Sequence, residues 1–174
     1  MKEYRFRYGD GEVVIPLDEG QVLGELHGNH VPAAASIPDT LRAALEDAHA
    51  GQIQIFAKIE NLAGVRTLPE FLPLVDQVVI ARGDLGNAMP LWELPRCQKQ
   101  LASLCRAAGV PFMVVPQMLD SMQTRAVPTR AEVSDIYNAV LDGAASLMLT
   151  GETAAGQYPV QAMEYLVKTA QTAL

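Results

Sequence analysis

Short apolar runs alternate with amphipathic stretches along most of this chain, and the alternation predicts a strand followed by a helix four times over. Ile53-Gln-Ile-Phe-Ala-Lys58-Ile-Glu60-Asn61 and Val78-Val-Ile-Ala-Arg82-Gly83-Asp84-Leu-Gly86 are β-rich runs that end in charge. Their length and their bounding turn residues predict strands buried on both faces. Phe112-Met-Val-Val115 is a third such strand and residues 145–149 a fourth. Between them, Leu94, Cys97, Leu101, Leu104, Cys105 and Ala108 recur at intervals of three and four, a helix closed by Gly109. A helix over residues 38–50 carries the stripe Leu41, Ala44, Leu45 and Ala48, with Ser36 or Asp39 as cap, Pro38 in its first turn and Gly51 as its stop. Leu68, Phe71, Leu72 and Val75 predict a short helix broken by Pro69 and Pro73. A helical turn at 117–122 leads to a helix over 129–141 opened by Pro128 and Thr129. Val160, Met163, Val167, Ala170 and Leu174 mark the last helix.

Residues 1–35 read differently from residues 36–174, and the two are expected to be an N-terminal β/loop segment and the main domain. Basic and aromatic residues alternate from Lys2 to Arg7, Val13-Val-Ile15 is a short strand candidate, and Gly20–Gly24 and Gly28–Pro32 carry turn signals. A hairpin is one expectation for this segment. Four consecutive βα units fit either an open doubly wound sheet or part of a (βα)₈ barrel, since both place charged residues at strand C-termini. No Gly-rich fingerprint opens the first helix, which argues against a dinucleotide-binding fold.

Composition narrows the function classes. The 174 residues carry a formal net charge of −7, 49% hydrophobic residues and few aromatics. That balance suits a globular domain and disfavours nucleic acid or an anionic membrane as partner. No apolar run is long enough to span a membrane. Cys97 and Cys105 lie eight positions apart on one predicted helix, ~12 Å along its axis, so they cannot bridge each other. With no N-terminal apolar leader, they point to a reducing cytoplasm. His27, His30 and His49 show no metal-ligand spacing with a carboxylate and are expected at the surface.

The candidate chemistry lies at the ends of the first two strands. Alternate strand residues share a face, so Lys58 pairs with Glu60 and Arg82 with Asp84. If those strands are parallel neighbours ~4.8 Å apart, Glu60 and Asp84 meet at the C-terminal edge of the sheet with Lys58 one pleat below. Two carboxylates and an ammonium there are costly unless they hold something, and a divalent cation is the simplest candidate. The competing account is an ion-pair cluster with Lys58 and Arg82.

Ala57-Lys58-Ile59-Glu60-Asn61 with Gly64-Val65, then Ala81-Arg-Gly-Asp-Leu-Gly86, resembles the active-site core of pyruvate kinase. The resemblance continues in order through Gln117-Met-Leu-Asp-Ser-Met122, Pro128-Thr-Arg-Ala-Glu132, Asn138-Ala-Val-Leu-Asp-Gly143, Met148-Leu-Thr-Gly-Glu-Thr-Ala154 and Tyr158-Pro159, covering roughly residues 53–170. It implies a partial TIM-type (βα) barrel, with four parallel βα units corresponding to the C-terminal half of a (βα)₈ barrel. The family's N-terminal half, most of its lid and its regulatory domain are expected to be absent, although Gly28–Pro32 resembles the point where the lid returns to the barrel. The resemblance implies Glu60 and Asp84 as ligands of Mg²⁺ or Mn²⁺ and Lys58 as the catalytic lysine. Arg82, Gly83, Asp84, Pro116 and Gln117 then fall at substrate-binding positions, the amides at Gly83-Asp84 starting a short helix that holds a carboxylate. Pro116 stands where the family has threonine, which removes a hydroxyl and a backbone donor. Thr150 stands for a serine and keeps its hydroxyl, while Glu152 has a role in local structure. K⁺ is used in the family, with ligands expected outside this chain.

The activity implied is transfer of a phosphoryl group from phosphoenolpyruvate to ADP, giving pyruvate and ATP, impaired or partner-dependent for a lone chain. Two alternatives stand beside it: metal-dependent enolisation of pyruvate or decarboxylation of oxaloacetate, and a non-catalytic binding or regulatory subunit. Four parallel strands leave two open edges. The open edges therefore predict a second copy of the chain or a complementary N-terminal half-barrel as partner, and the resemblance implies small carboxylates of the pyruvate type, with ADP or ATP, as ligands.

Overall fold

The computed structural model describes the backbone at residues 2–8, 11–17 and 36–174, and side-chain surroundings from residue 41 onward. The turn signals between Gly20 and Pro32, with His27 and His30, lie outside the described residues, as does the side-chain capping of the first helix by Ser36 or Asp39. The alternating N-terminal run forms β1 (Lys2–Tyr8), paired antiparallel with β2 (Gly11–Leu17) in a register from Lys2↔Leu17 to Tyr8↔Gly11. Helix α1 (Ser36–Asp47) follows and buries Ala44 and Leu45. Its end is made by His49 rather than Gly51. His49 takes a left-handed φ of 54° and donates to the Glu46 carbonyl, while the Ala50 amide reaches back to Leu45.

Four strands then form one parallel sheet in sequence order: β3 (Phe56–Ile59), β4 (Gln77–Ala81), β5 (Phe112–Val115) and β6 (Ser146–Leu147). Parallel neighbours need crossovers. The chain supplies α2 (Leu62–Phe71), then α3 (Arg82–Ala88) with α4 (Leu94–Ala108), then α5 (Arg130–Leu141), and closes with α6 (Gly151–Ala154) and α7 (Pro159–Gln171). This is the α/β architecture of a partial TIM-type barrel. The boundaries of α4 agree with the sequence pattern because both ends carry local signals: Pro95 in the first turn and Gly109 at φ 71°. Likewise Thr129 caps α5, its hydroxyl accepting from the Glu132 amide while the Glu132 carboxylate reaches back.

The sheet has two unlike faces. Ile59, Val78, Ile80, Phe112 and Val114 point into the helices and form most of the core with Leu45, Leu68, Leu101 and Ile136. Val79, Ala81 and Val115, with Met113 beside them, form a small separate cluster on the inner face. A hydrogen bond from Gln77 Nε2 to Ser146 Oγ, 2.8 Å long, ties β4 to β6 across that face.

Expectations for two strands and two helices are corrected here. The first strand starts at Phe56, because the Asp76 carboxylate takes the Ile55 amide at 2.6 Å and bends the chain before it. It is not buried on both faces either: Phe56 and Lys58 are exposed on the side where the described residues offer no cover. The second charged run is strand only to Ala81, and Arg82 to Ala88 is helical, so Arg82 and Asp84 do not share a strand face. Helix α2 starts six residues before Leu68, where Asn61 Oδ1 accepts from the Gly64 amide, and it contains Pro69 rather than breaking there. Helix α7 buries a different face from most of its predicted stripe, of which Ala170 alone packs against the core. Ala162, Leu166 and Thr169 are buried, whereas Val160, Met163 and Val167 are exposed.

Candidate functional site

The sheet register brings the candidate residues together. Lys58 lies opposite Val79 and Ile59 opposite Ile80, so Glu60 leaves β3 one residue beyond the last pair and level with the end of β4. Alternation puts Lys58 and Glu60 on the inner face above Phe56. At the end of β4 the chain turns at once into α3, with Asp84 in its first turn. Lys58 Nζ donates to Glu60 Oε2 at 2.5 Å and to Asp84 Oδ2 at 3.1 Å. Two carboxylates from consecutive βα units thus converge on one ammonium. The hydrogen bond to Glu60 holds Lys58 above the ordinary lysine range, against an opposing pull from burial, with Asp84 adding to the rise. Glu60 is the sheltered member, its side chain 17% exposed, while Lys58 and Asp84 are half open to solvent at 53% and 52%.

This donor set fits a hard divalent cation. Among the described residues no three His, Cys, Asp or Glu side chains gather as a ready-made cage. Two carboxylates with open positions left for water and substrate oxygens are what Mg²⁺ and Mn²⁺ accept. Glu60 and Asp84 are the groups that could hold such an ion.

Arg82 goes elsewhere. Its Nη1 donates to both carboxylate oxygens of Asp135 on α5, at 2.6 and 2.8 Å, and lies 3.5 Å from Gln98 Oε1 on α4. Its Nη2 donates to the Pro116 carbonyl at 2.9 Å and approaches Met118 Sδ at 3.0 Å. With only 13% of its side chain exposed, the guanidinium joins α3, α4, α5 and the end of β5. Gly83 packs against Pro116: a Cβ on Gly83 would meet the ring Cγ at 3.4 Å. The Val115–Pro116 peptide is cis, and Gln117 follows in a left-handed conformation with φ 58°. A cleft of about 1040 Å³ opens between α3, α4 and α5, with Arg82, Asp84, Gln98, Asp135 and Gln117 among its lining residues and Lys58 and Glu60 outside it.

Around this centre two carboxylates fix the loops. Glu152 is fully buried and accepts from the Leu119 and Thr150 amides at 3.1 and 2.8 Å. Glu132 accepts from the backbone and hydroxyl of both Ser121 and Thr129. Burial pushes the Glu132 carboxyl up, but those donors outweigh it and leave the group below the ordinary range. Asp135 and Gln98 were missed by sequence reasoning. Gln98 did carry a signal, as a polar residue on the buried face shared by Leu101, Ala102 and Cys105.

The sequence model of the family described as "Pyruvate kinase, barrel domain" matches residues 30–163. Over 124 residues, 71% of this chain, the sequence is 51% identical to a pyruvate kinase of Geobacillus stearothermophilus and 49% identical to that of Bacillus licheniformis, in each case covering 21% of the relative. It is 50% identical over 121 residues to a pyruvate kinase of Candida albicans, covering 24% of it. The chain therefore spans about a fifth to a quarter of the length of these curated relatives.

Proposed function

The chain belongs to the pyruvate kinase family, and from that premise we propose that it serves phosphoryl transfer between phosphoenolpyruvate and ADP, with Lys58, Glu60 and Asp84 at the reacting centre. The observation that carries this reading is the pair of hydrogen bonds from Lys58 Nζ to Glu60 and Asp84. In the direction of ATP formation, the bond from phosphorus to the bridging oxygen of phosphoenolpyruvate breaks as a bond to the terminal phosphate oxygen of ADP forms. The enolate left behind takes a proton on its methylene carbon and becomes pyruvate. Lys58 neutralises negative charge on the enolate oxygen and on the phosphoryl group in flight. Positioning and neutralisation of this kind make up most of the catalysis of phosphoryl transfer.

Glu60 and Asp84 would hold Mg²⁺ or Mn²⁺, which supplies Lewis-acid polarisation of substrate oxygens when bound. The amides of Gly83 and Asp84, in the first turn of α3, lack intrahelical acceptors and are the proposed contacts for the substrate carboxylate. Pro116 presents its ring rather than a hydroxyl toward Gly83, so proton delivery to the enolate would lack one polar group there. General acid–base help of that type is worth roughly 10²–10⁴ in rate. Gln117 lines the adjoining cleft. Residues 36–174 act as the half-barrel unit and residues 1–35 as its N-terminal segment. Among the described residues β3 and β6 each have one strand neighbour, which supports a second copy or a complementary half-barrel as partner and as the source of nucleotide and K⁺ contacts.

A coupled assay of pyruvate formation with Mg²⁺ and K⁺ tests the proposal, run on the wild-type chain and on Lys58→Met. Activity lowered by roughly 10²–10³ in the variant is expected. Activity equal in both would refute the role of Lys58. Exchange of pyruvate methyl protons, followed by NMR, reads the enolate step alone, and exchange without phosphoryl transfer would confine the chain to enolate chemistry.

A further inference from the structure

We propose that Asp135, acting through Arg82, is a positioning residue that sets Asp84 against Lys58. Asp84 lies in a helix of only seven residues, and a helix so short has little stability of its own. Among the described contacts, its first residue is the one that binds it most broadly to the rest of the fold. Arg82 reaches Asp135 with both carboxylate oxygens engaged, and reaches the Pro116 carbonyl through its other nitrogen. Asp135 in turn stands on α5, beside the buried Ile136 and Ala139, on a helix whose start is fixed by the Thr129–Glu132 capping box. The rigid helix therefore holds the carboxylate, the carboxylate orients the guanidinium, and the guanidinium fixes the first turn of α3. Asp84 is two residues further on in that turn, and its carboxylate meets Lys58 at 3.1 Å. Charge-assisted hydrogen bonds of this kind lock orientation as well as adding energy. Asp135 touches neither Lys58 nor Glu60 among the described contacts, so its influence runs through Arg82.

The consequence for cation binding rests on the functional reading above, whereas the consequence for α3 does not, and the two can be measured separately. Asp135→Asn keeps the shape of the side chain and removes its charge, and Asp135→Glu restores the charge on a longer arm. Hydrogen exchange of the α3 amides and the NMR signal of the Lys58 side chain report the position of Asp84 directly. Mn²⁺ calorimetry reports cation affinity. In Asp135→Asn, faster exchange confined to residues 82–88 and a Lys58 signal shifted toward that of Asp84→Asn are expected, with Mn²⁺ bound roughly 2- to 30-fold more weakly, the range of coupling through intermediary residues. Asp135→Glu is expected to recover part of each change. In an Arg82→Met background, Asp135→Asn should add nothing, because the link is already cut. Unchanged α3 exchange and an unchanged Lys58 signal in Asp135→Asn would overturn the proposal, as would additive effects in the double variant. If the wild-type chain takes up no Mn²⁺, the cation role of Glu60 and Asp84 falls, and the exchange and NMR results alone decide the role of Asp135.

Discussion

Replacing Lys58 by methionine should strengthen cation binding while sharply lowering turnover. In the structure one ammonium occupies an oxygen of each carboxylate, at 2.5 Å from Glu60 and 3.1 Å from Asp84. A divalent ion that takes the same two carboxylates must share them with that ammonium. A unit charge ~4 Å from a doubly charged ion repels it by ~2 kcal/mol at the dielectric constant of water. The Lys58 side chain is 53% exposed and can swing toward solvent, which relieves about half of that. The remaining ~1 kcal/mol corresponds to a Kd about 5-fold lower in the variant. Turnover should fall by roughly 10²–10³, the usual effect of removing one group that stabilises transition-state charge. Thermal stability should barely change, because exposed ion pairs contribute only ~0–1 kcal/mol. Mn²⁺ calorimetry on both proteins, beside the coupled assay, reads the two effects independently. A Kd that rises or stays level in Lys58→Met would mean that Glu60 and Asp84 are not the ion's ligands, whatever happens to turnover.

Four further outcomes follow from the core and its loops. Phe112→Ala empties a fully buried position at the centre of the sheet and should cost about 3–5 kcal/mol in denaturant unfolding, with no shift in Mn²⁺ affinity per folded molecule. Gly156→Ala would set a methyl 2.4 Å from the Glu152 carbonyl oxygen, so the turn after α6 must move; a loss of about 1–3 kcal/mol is expected, and an unchanged melting midpoint would contradict the packing described. The Ile55 amide, followed by Arg42, holds the Asp76 carboxyl below the ordinary range, so its stabilisation is present above about pH 3.9 and is lost as pH falls through the lower folded-state value. Asp76→Asn should therefore be less stable than wild type at pH 7, with the gap closing in acid unfolding curves. Burial pushes the Cys105 thiol up to about 11, so an aromatic disulfide reagent at pH 8 should label the native chain slowly and the denatured chain at once.

What the sequence makes legible in this protein is what lies within about fifteen residues of its cause. Helix α4 starts at a proline turn and stops at a glycine, and α5 begins at a threonine answered three residues later by a glutamate; each signal sits beside the element it bounds. Lys58 and Glu60 share a face because strands alternate, so that half of the site was visible too. Helix α7 shows the opposite case. Both of its faces carry apolar residues, Ala162 and Leu166 on one and Val160, Met163 and Val167 on the other, and periodicity alone cannot say which meets the core. Thr169, buried, would have pointed to the wrong side on any hydropathy scale. The partners of Arg82 lie 34 and 53 residues away, on β5's end and on α5, and no local pattern joins them. Reading Arg82 and Asp84 as strand neighbours failed for a related reason: the helix begins immediately at Arg82, held there by contacts from distant elements.

The same division explains how this fold can carry reactive groups without endangering its stability. Most of the core lies between the sheet and its helices, around Phe112, Leu45 and Ile136, and contains none of the three residues of the proposed reacting centre. Lys58, Glu60 and Asp84 stand on the other face or at the sheet's C-terminal edge, above the small cluster of Val79, Ala81 and Val115. Substitutions at these three positions therefore remove contacts that lie outside the large core and leave it intact. The exception is α3, which owes its place to Arg82 more than to burial, with Leu85 as its buried apolar anchor. On the proposed mechanism, change at Arg82 or Asp135 would reach the chemistry by moving a short helix, whereas change at Lys58 would reach it by removing a charge. Two variants that look alike in an activity assay would differ in the exchange of seven amides.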